Sequence, residues 1–238
     1  MRKTLTCLAA VVCLASLTAA AEDFWVKKQY TEWSEKECRK MLEDSPWARQ
    51  WINSVVLNRI SDATQGTARE AHPEVRFTFQ LRSALPIRQA LVRQGQLARG
   101  YDQMTEEQKK AFDQEAQQFL SARSPDKVVV YVEYSSNEQT LLRDVTRDWK
   151  IQTTAKLKGI TYLAGAKRLR APLEEYIPPR GDSPVFQLVF PRTVEGRPIV
   201  GPEDKSLQLQ LINPLPSGGQ IIVDFKVKKM VVDGELIF

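Results

Sequence analysis

The chain predicts an α+β fold: a helix-rich N-terminal part packed on a mainly antiparallel sheet, followed by a β-rich C-terminal third. Three observations lead there. Ser34 with Glu37, and Thr105 with Gln108, form capping boxes that start helices ahead of apolar stripes. Val75, Phe77, Phe79 and Leu81 alternate with Arg76, Thr78, Gln80 and Arg82, which is the period of a strand with one buried and one wet face. Beyond residue 150 the chain breaks into short β runs punctuated by Pro and Gly. The last of these brackets Asp233-Gly234, the dipeptide of a two-residue hairpin turn.

The first 21 residues read as a cleavable signal peptide. Arg2 and Lys3 open it, an apolar stretch runs from Leu5 to Leu17, and Ala19-Ala20-Ala21 supplies the small residues a signal peptidase must seat. The stretch is shorter than the roughly 20 residues a bilayer span needs. Thr6 and Val12 sit poorly before Cys7 and Cys13 for lipid attachment. The mature protein is therefore expected to begin near Glu22, to be soluble with no transmembrane segment, and to lie in a bacterial periplasm or outside the cell. Cleavage leaves Cys38 as the lone cysteine, so no disulfide within the chain is available and the fold must rest on its core.

Composition is that of a globular protein, 42% hydrophobic and 26% charged. A net charge of +5 over 34 basic and 29 acidic residues is mild, and loss of Arg2 and Lys3 with the leader lowers it further. Bases and acids are interspersed, which argues against a nucleic-acid partner. The mature chain divides into an α+β region, 22–150, and a β-rich region, 151–238. These make one continuous domain or two, and the sheet either runs on or splits near residue 150.

After Ser34, the residues Cys38, Met41 and Leu42 form a helix stripe that stops at Asp44-Ser45-Pro46. Ser45 and Pro46 can open a second short helix with Trp47 and Trp51 on one face. Residues 51–60 read as helix or strand, leaning to strand at Val55-Val56-Leu57, and 61–72 as a loop. Pro86 opens a helix expected to bury Ile87, Ala90, Leu91, Leu97 and Ala98 and to end at Gly100. The helix after Thr105 is expected to bury Phe112, Ala116, Phe119 and Leu120. Ser124-Pro125-Asp126 turns into a strand over 128–134, and a brief helix surrounds Leu141, Leu142 and Val145. Phe186–Phe190 reads as a buried strand. Leu207, Leu209 and Leu211 pair with Ile221, Val223, Phe225 and Val227 across Pro216-Ser217-Gly218-Gly219.

Catalytic signatures are sparse. One histidine, His72, and one mature cysteine cannot build a zinc site within the chain, and neither an EF-hand loop nor a phosphate-binding glycine loop occurs. Ser124-x-x-Lys127 leads into a strand and reads as a turn rather than an acyl-enzyme motif. Glu106-Glu107 and Glu174-Glu175 are neighbours whose side chains diverge, so they read as surface charge. Arg180-Gly181-Asp182 matches the cell-adhesion tripeptide, a match that arises by chance often. No catalytic, cofactor or metal residues are assigned. The one candidate ligand or partner surface is the aromatic cluster Trp25, Tyr30, Trp33, Trp47 and Trp51, although caps and helix spacing account for several of these as core.

The stretch Tyr30–Ala48 (YTEWSEKECRKMLEDSPWA), the run Arg82–Leu91 (RSALPIRQAL) and the ending resemble an uncharacterised family of exported bacterial proteins. That resemblance implies a shared fold and export, and it carries no activity to transfer. The expected function is a non-enzymatic binding protein of the bacterial envelope, its partner an envelope protein or polymer. The alternative is a carboxylate-dependent hydrolase of envelope glycans.

Overall fold

A computed structural model describes residues 23–54, 73–122, 124–165, 169–214, 218–232 and 234–238. The leader and the expected loop at 61–72, His72 included, lie outside them, as do Val55-Val56-Leu57. The fold is α+β, with sheets that are antiparallel throughout the described residues.

A four-residue helix α1 (Phe24–Lys27) precedes α2 (Glu35–Glu43). The capping box of α2 is formed as expected: the Glu37 amide donates to Ser34 Oγ at 3.3 Å, and the Ser34 amide to Glu37 Oε2 at 2.9 Å. Cys38, Met41 and Leu42 are its buried stripe. Next come β1 (Ala48–Ser54), β2 (Glu74–Leu81), α3 (Leu85–Ala98) and α4 (Glu106–Ser121), the last opened by the Thr105–Gln108 capping box. Then β3 (Lys127–Ser136) leads to α5 (Gln139–Lys150) and the short α6 (Thr154–Leu157). The rest is strand: β4 (Tyr162–Gly165), β5 (Arg170–Pro172), β6 (Glu175–Ile177), β7 (Val185–Pro191), β8 (Thr193–Val194), β9 (Arg197–Pro198), β10 (Ser206–Ile212), β11 (Gln220–Lys226), β12 (Val231–Val232) and β13 (Glu235–Leu236).

Two larger sheets result. One runs β1-β2-β3-β7-β6 and takes strands from both sides of residue 150; the other runs β11-β10-β4-β5. Each buries one face in a single continuous core. The expected hairpins are present, Leu209 opposite Val223 and Val232 opposite Glu235. The centre of the core is Trp149 of α5. Its ring stacks on Phe186 at 4.1 Å and meets Phe77 edge-on at 6.4 Å, while its carbonyl accepts from the Tyr176 hydroxyl at 2.7 Å.

Five expectations are corrected. The second helix from Ser45 does not form. Ser45 Oγ donates to the Met41 carbonyl at 2.7 Å, closing α2, and a tight turn between Ser45 and Ala48 sends the chain into β1, paired with β2 from Ala48–Gln80 to Ser54–Glu74. A spacing of four residues returns to the same face in a helix and in a strand, so Trp47 and Trp51 could not discriminate between them. Gln80 is buried rather than wet, because its amide donates to the Leu42 carbonyl at 2.8 Å beneath α2. In α3, Val92 and Gln96 are buried while Leu97 and Ala98 are exposed: the helix packs on α2, α4 and the 3-10 turns Tyr30–Glu32 and Tyr101–Gln103, and its last two residues reach solvent. The helix does end as expected, with Gly100 at φ 62°, a left-handed position that costs glycine little.

The fourth correction concerns α4, which buries no residue fully. It packs chiefly on α3 rather than on a sheet, leaving Phe112, Ala116 and Leu120 half-covered and Phe119 exposed. Likewise Val185–Pro191 is not buried throughout: Phe186, Leu188 and Phe190 point inward and the alternate residues stay half-exposed.

Truncation should separate these two environments. Phe77→Ala, in the core, is expected to cost about 3–5 kcal/mol in denaturant unfolding, and Phe119→Ala less than about 1 kcal/mol; comparable losses would contradict this packing. A second expectation concerns acid. The hydrogen bond from Lys28, then that from the Ser34 amide, lowers Glu37 to about 2, below the unfolded value of roughly 4.3. Its stabilising contribution is complete above the unfolded value and is lost as pH falls through that window towards 2. Acid titration of Glu37→Gln should therefore show a shallower fall in stability between about pH 4 and 2; an unchanged slope would refute the assignment.

Candidate functional site

The aromatic cluster does not form one surface. Trp33 and Trp47 are 1% and 0% exposed, deep in the core. Phe24 meets Trp25 at 5.0 Å and Trp33 at 5.3 Å, and Trp25 meets Trp47 at 5.8 Å, all edge-to-face. This geometry suits the ring quadrupoles and welds the N-terminal segment to the body. Trp47 also donates through Nε1 to the Ile237 carbonyl, tying the segment to the far end of the chain. Trp25, Tyr30 and Trp51 are partly buried and rest on that core. Trp51 lies against Phe77 on the inner face of β1, and Tyr30 opens the 3-10 turn Tyr30–Glu32 beside α3.

Cys38 is wholly buried, and desolvation pushes its thiol up to about 11. It has the character of a small core hydrophobe rather than of a nucleophile. A disulfide-exchange reagent at pH 8 is therefore expected to react with it only on global unfolding; stoichiometric labelling of the native protein at a rate independent of unfolding would contradict this.

The outer face of the five-stranded sheet carries a different arrangement. The pairings Tyr131–Gln187 and Gln187–Ile177 align these three side chains in one row across β3, β7 and β6. The segment after Ile177 then folds back over the row. It is held by a bond from the Ser183 amide to the Arg180 carbonyl at 3.1 Å and one from the Tyr134 amide to the Pro184 carbonyl at 3.0 Å. Gly181, at φ 55°, makes the tight turn between them. Row and loop enclose an open cleft of about 320 Å³, rimmed by Pro178, Arg180 and Ser183 and flanked by Val185. The cleft thus brings guanidinium, phenol, amide and hydroxyl groups together with the apolar Ile177, Pro178 and Val185.

Tyr131 is held from its other side. The Arg82 guanidinium lies 3.8 Å from its ring centroid, a cation–π stack. Burial lowers the pKa of Arg82, with Tyr131 and Glu133 opposing that shift, and burial likewise raises Tyr131. The buried Arg82 Nε has no hydrogen-bond partner among the described residues. Arg180 forms no ion pair with any described carboxylate. Asp182 is turned away from the cleft, fully exposed and 3.9 Å from Lys150, so the two charged ends of the Arg180-Gly181-Asp182 tripeptide face different surroundings.

Neither acid doublet lines the cleft. Glu106 and Glu107 occupy the first turn of α4, and Glu174 is paired with Lys127. Ser124 accepts the Lys127 amide in a turn that enters β3, as its sequence implies. Among the described residues no three His, Cys, Asp or Glu side chains converge as a metal site, and no helix is long and apolar enough to cross a membrane. A smaller apolar groove of about 230 Å³ lies between α3 and α4, floored by Leu91, Gly95, Phe112 and Phe119.

Sequence reasoning took Arg82 as an ordinary wet-face residue and did not single out Tyr131, Ile177 or Gln187. The usable signal was the strand alternation itself, which sends Tyr131 and Gln187 to the face opposite Val130, Val132 and Phe186. Compared with protein-family models, curated proteins and solved structures, the chain matches none. The function therefore has to be argued from this geometry.

Proposed function

We propose that this is an exported protein of the bacterial envelope that acts by binding rather than by catalysis, and that the cleft on the outer face of the five-stranded sheet is its ligand site. The observation that carries the reading is the cleft itself. Its volume of about 320 Å³ falls at the lower end of the roughly 300–1,000 Å³ typical of small-molecule sites. Its lining mixes apolar residues with a few polar groups, one of which, Tyr131, belongs to a stacked pair shifted by burial.

Binding is preferred to glycan hydrolysis on the chemistry of that lining. A glycosidase needs two carboxyl groups facing each other across the scissile bond, and no lining residue is acidic. On the same face, Glu133 and Glu175 fall in the rows of the ladder on either side of the Tyr131–Gln187–Ile177 row, separated by it. Export is supported by the tripartite leader. A fold resting on a disulfide-free core, with its one mature cysteine buried, is compatible with an oxidising compartment.

Two measurements test this together. Intact mass of the protein recovered from envelope fractions should correspond to a chain beginning at Glu22, and incubation with isolated cell-wall glycan should release no reducing ends. Recovery of the uncut chain from the cytosol would refute export. Glycan turnover that is lost on substituting one acid would refute the binding reading.

A further inference from the structure

We infer that the cleft takes a small monoanionic ligand, a carboxylate carried on a short flat apolar body, with Arg180 receiving the carboxylate and Tyr131 supporting the body. This rests on the cleft being a ligand site and adds the chemical class.

Charge balance is the first argument. Arg180 is the only charged group among the lining residues, and no described carboxylate neutralises it. The other polar groups at the cleft, Ser183, Gln187 and Tyr131, are neutral and each can donate a hydrogen bond. A ligand with one negative charge therefore completes the site, whereas a cation would meet unfavourable charge at Arg180. The planar guanidinium fork matches a carboxylate bidentately, which a compact ammonium group would not do.

Shape is the second. Tyr131 and Ile177 lie at the two ends of a row with Gln187 between them, so the floor spans three strands and its outward-facing ring is Tyr131. Arg82 stacks over one face of the Tyr131 ring and is itself half-enclosed. Arg82 is thus a positioning residue: it presents the ring, and Arg180 meets the ligand. Arg180 stands on the loop beside the row, exposed, with no side-chain hydrogen bond or ion pair among the described residues. Its replacement should leave the fold intact.

The test uses the mature chain, ¹⁵N-labelled, titrated with phenylacetate and separately with phenylacetamide, which has the same ring and no charge. Phenylacetate is expected to shift the backbone resonances of Tyr131, Ser183 and Gln187 saturably. Its affinity should exceed that of phenylacetamide at least tenfold, and it should weaken at least tenfold in Arg180→Gln. Arg82→Gln should weaken both probes alike, because it loosens the platform and leaves the anion receptor. Equal binding of both probes at the cleft, or undiminished phenylacetate binding by Arg180→Gln, would overturn the anion assignment and leave the cleft as a ligand site. Absence of saturable shifts at the cleft with either probe, or shifts confined to another surface, would overturn the site itself.

Discussion

The stacking of Trp149 on Phe186 is the contact from which the rest of the architecture follows. At 4.1 Å between ring centres it joins α5 to β7, and through Phe77, Tyr134 and Tyr176 the same aromatic group reaches β2, β3 and β6. Four of the five strands of the larger sheet are thereby committed to one inward face. A strand has no third direction for its side chains. Once Phe186 and Val132 face Trp149, Gln187 and Tyr131 must face outward, and their pairing follows from the same register. A slip of one residue in β7 would remove Phe186 from the stack and Gln187 from the cleft together. Core and candidate site are two consequences of one pleat.

That coupling explains the division of labour between the layers. The helices α2 and α5 are bound to the sheet by buried groups, Cys38, Met41 and Leu42 in one and Val145, Thr146 and Trp149 in the other. The Thr146 hydroxyl illustrates how such a helix is fixed. It donates to the Leu142 carbonyl of its own helix at 2.8 Å and accepts from the Tyr134 hydroxyl on β3 at 3.2 Å. By contrast α4 is held chiefly through α3 and stays half-open. The sheet face bearing the cleft is therefore backed by the most heavily packed part of the molecule, which is what a preorganised binding surface requires.

Legibility in the sequence tracks the range of the interactions. Both capping boxes were readable because each is completed within four residues, and the hairpin at Asp233-Gly234 because its strands adjoin the turn. The alternation in β2 was equally plain, yet the exception at Gln80 was not. Its burial depends on the Leu42 carbonyl, a partner that only the packing of α2 brings near. The Trp47–Trp51 spacing failed for another reason: the two periods coincide at four residues, and the decision was made by pairing to β2 rather than by local propensity. The cleft was the least legible feature. Tyr131 stands in a run of valines that reads as core, and Gln187 in a run that reads the same way, and nothing local says that they are neighbours.

Arg82 is where these threads meet. A guanidinium in a half-enclosed position, with its Nε buried and unbonded, loses hydration that a surface arginine keeps. Part of that loss is offset by the Tyr131 ring and by the field of Glu133. A glutamine would fill the space at lower cost in desolvation and a lysine at higher cost, and neither presents a flat cation to a flat ring. The arrangement gives up some stability in order to hold one phenol in one orientation. Such an exchange has an evident physical return where that phenol is a wall of a binding site, and none where it is merely a half-exposed residue on a sheet.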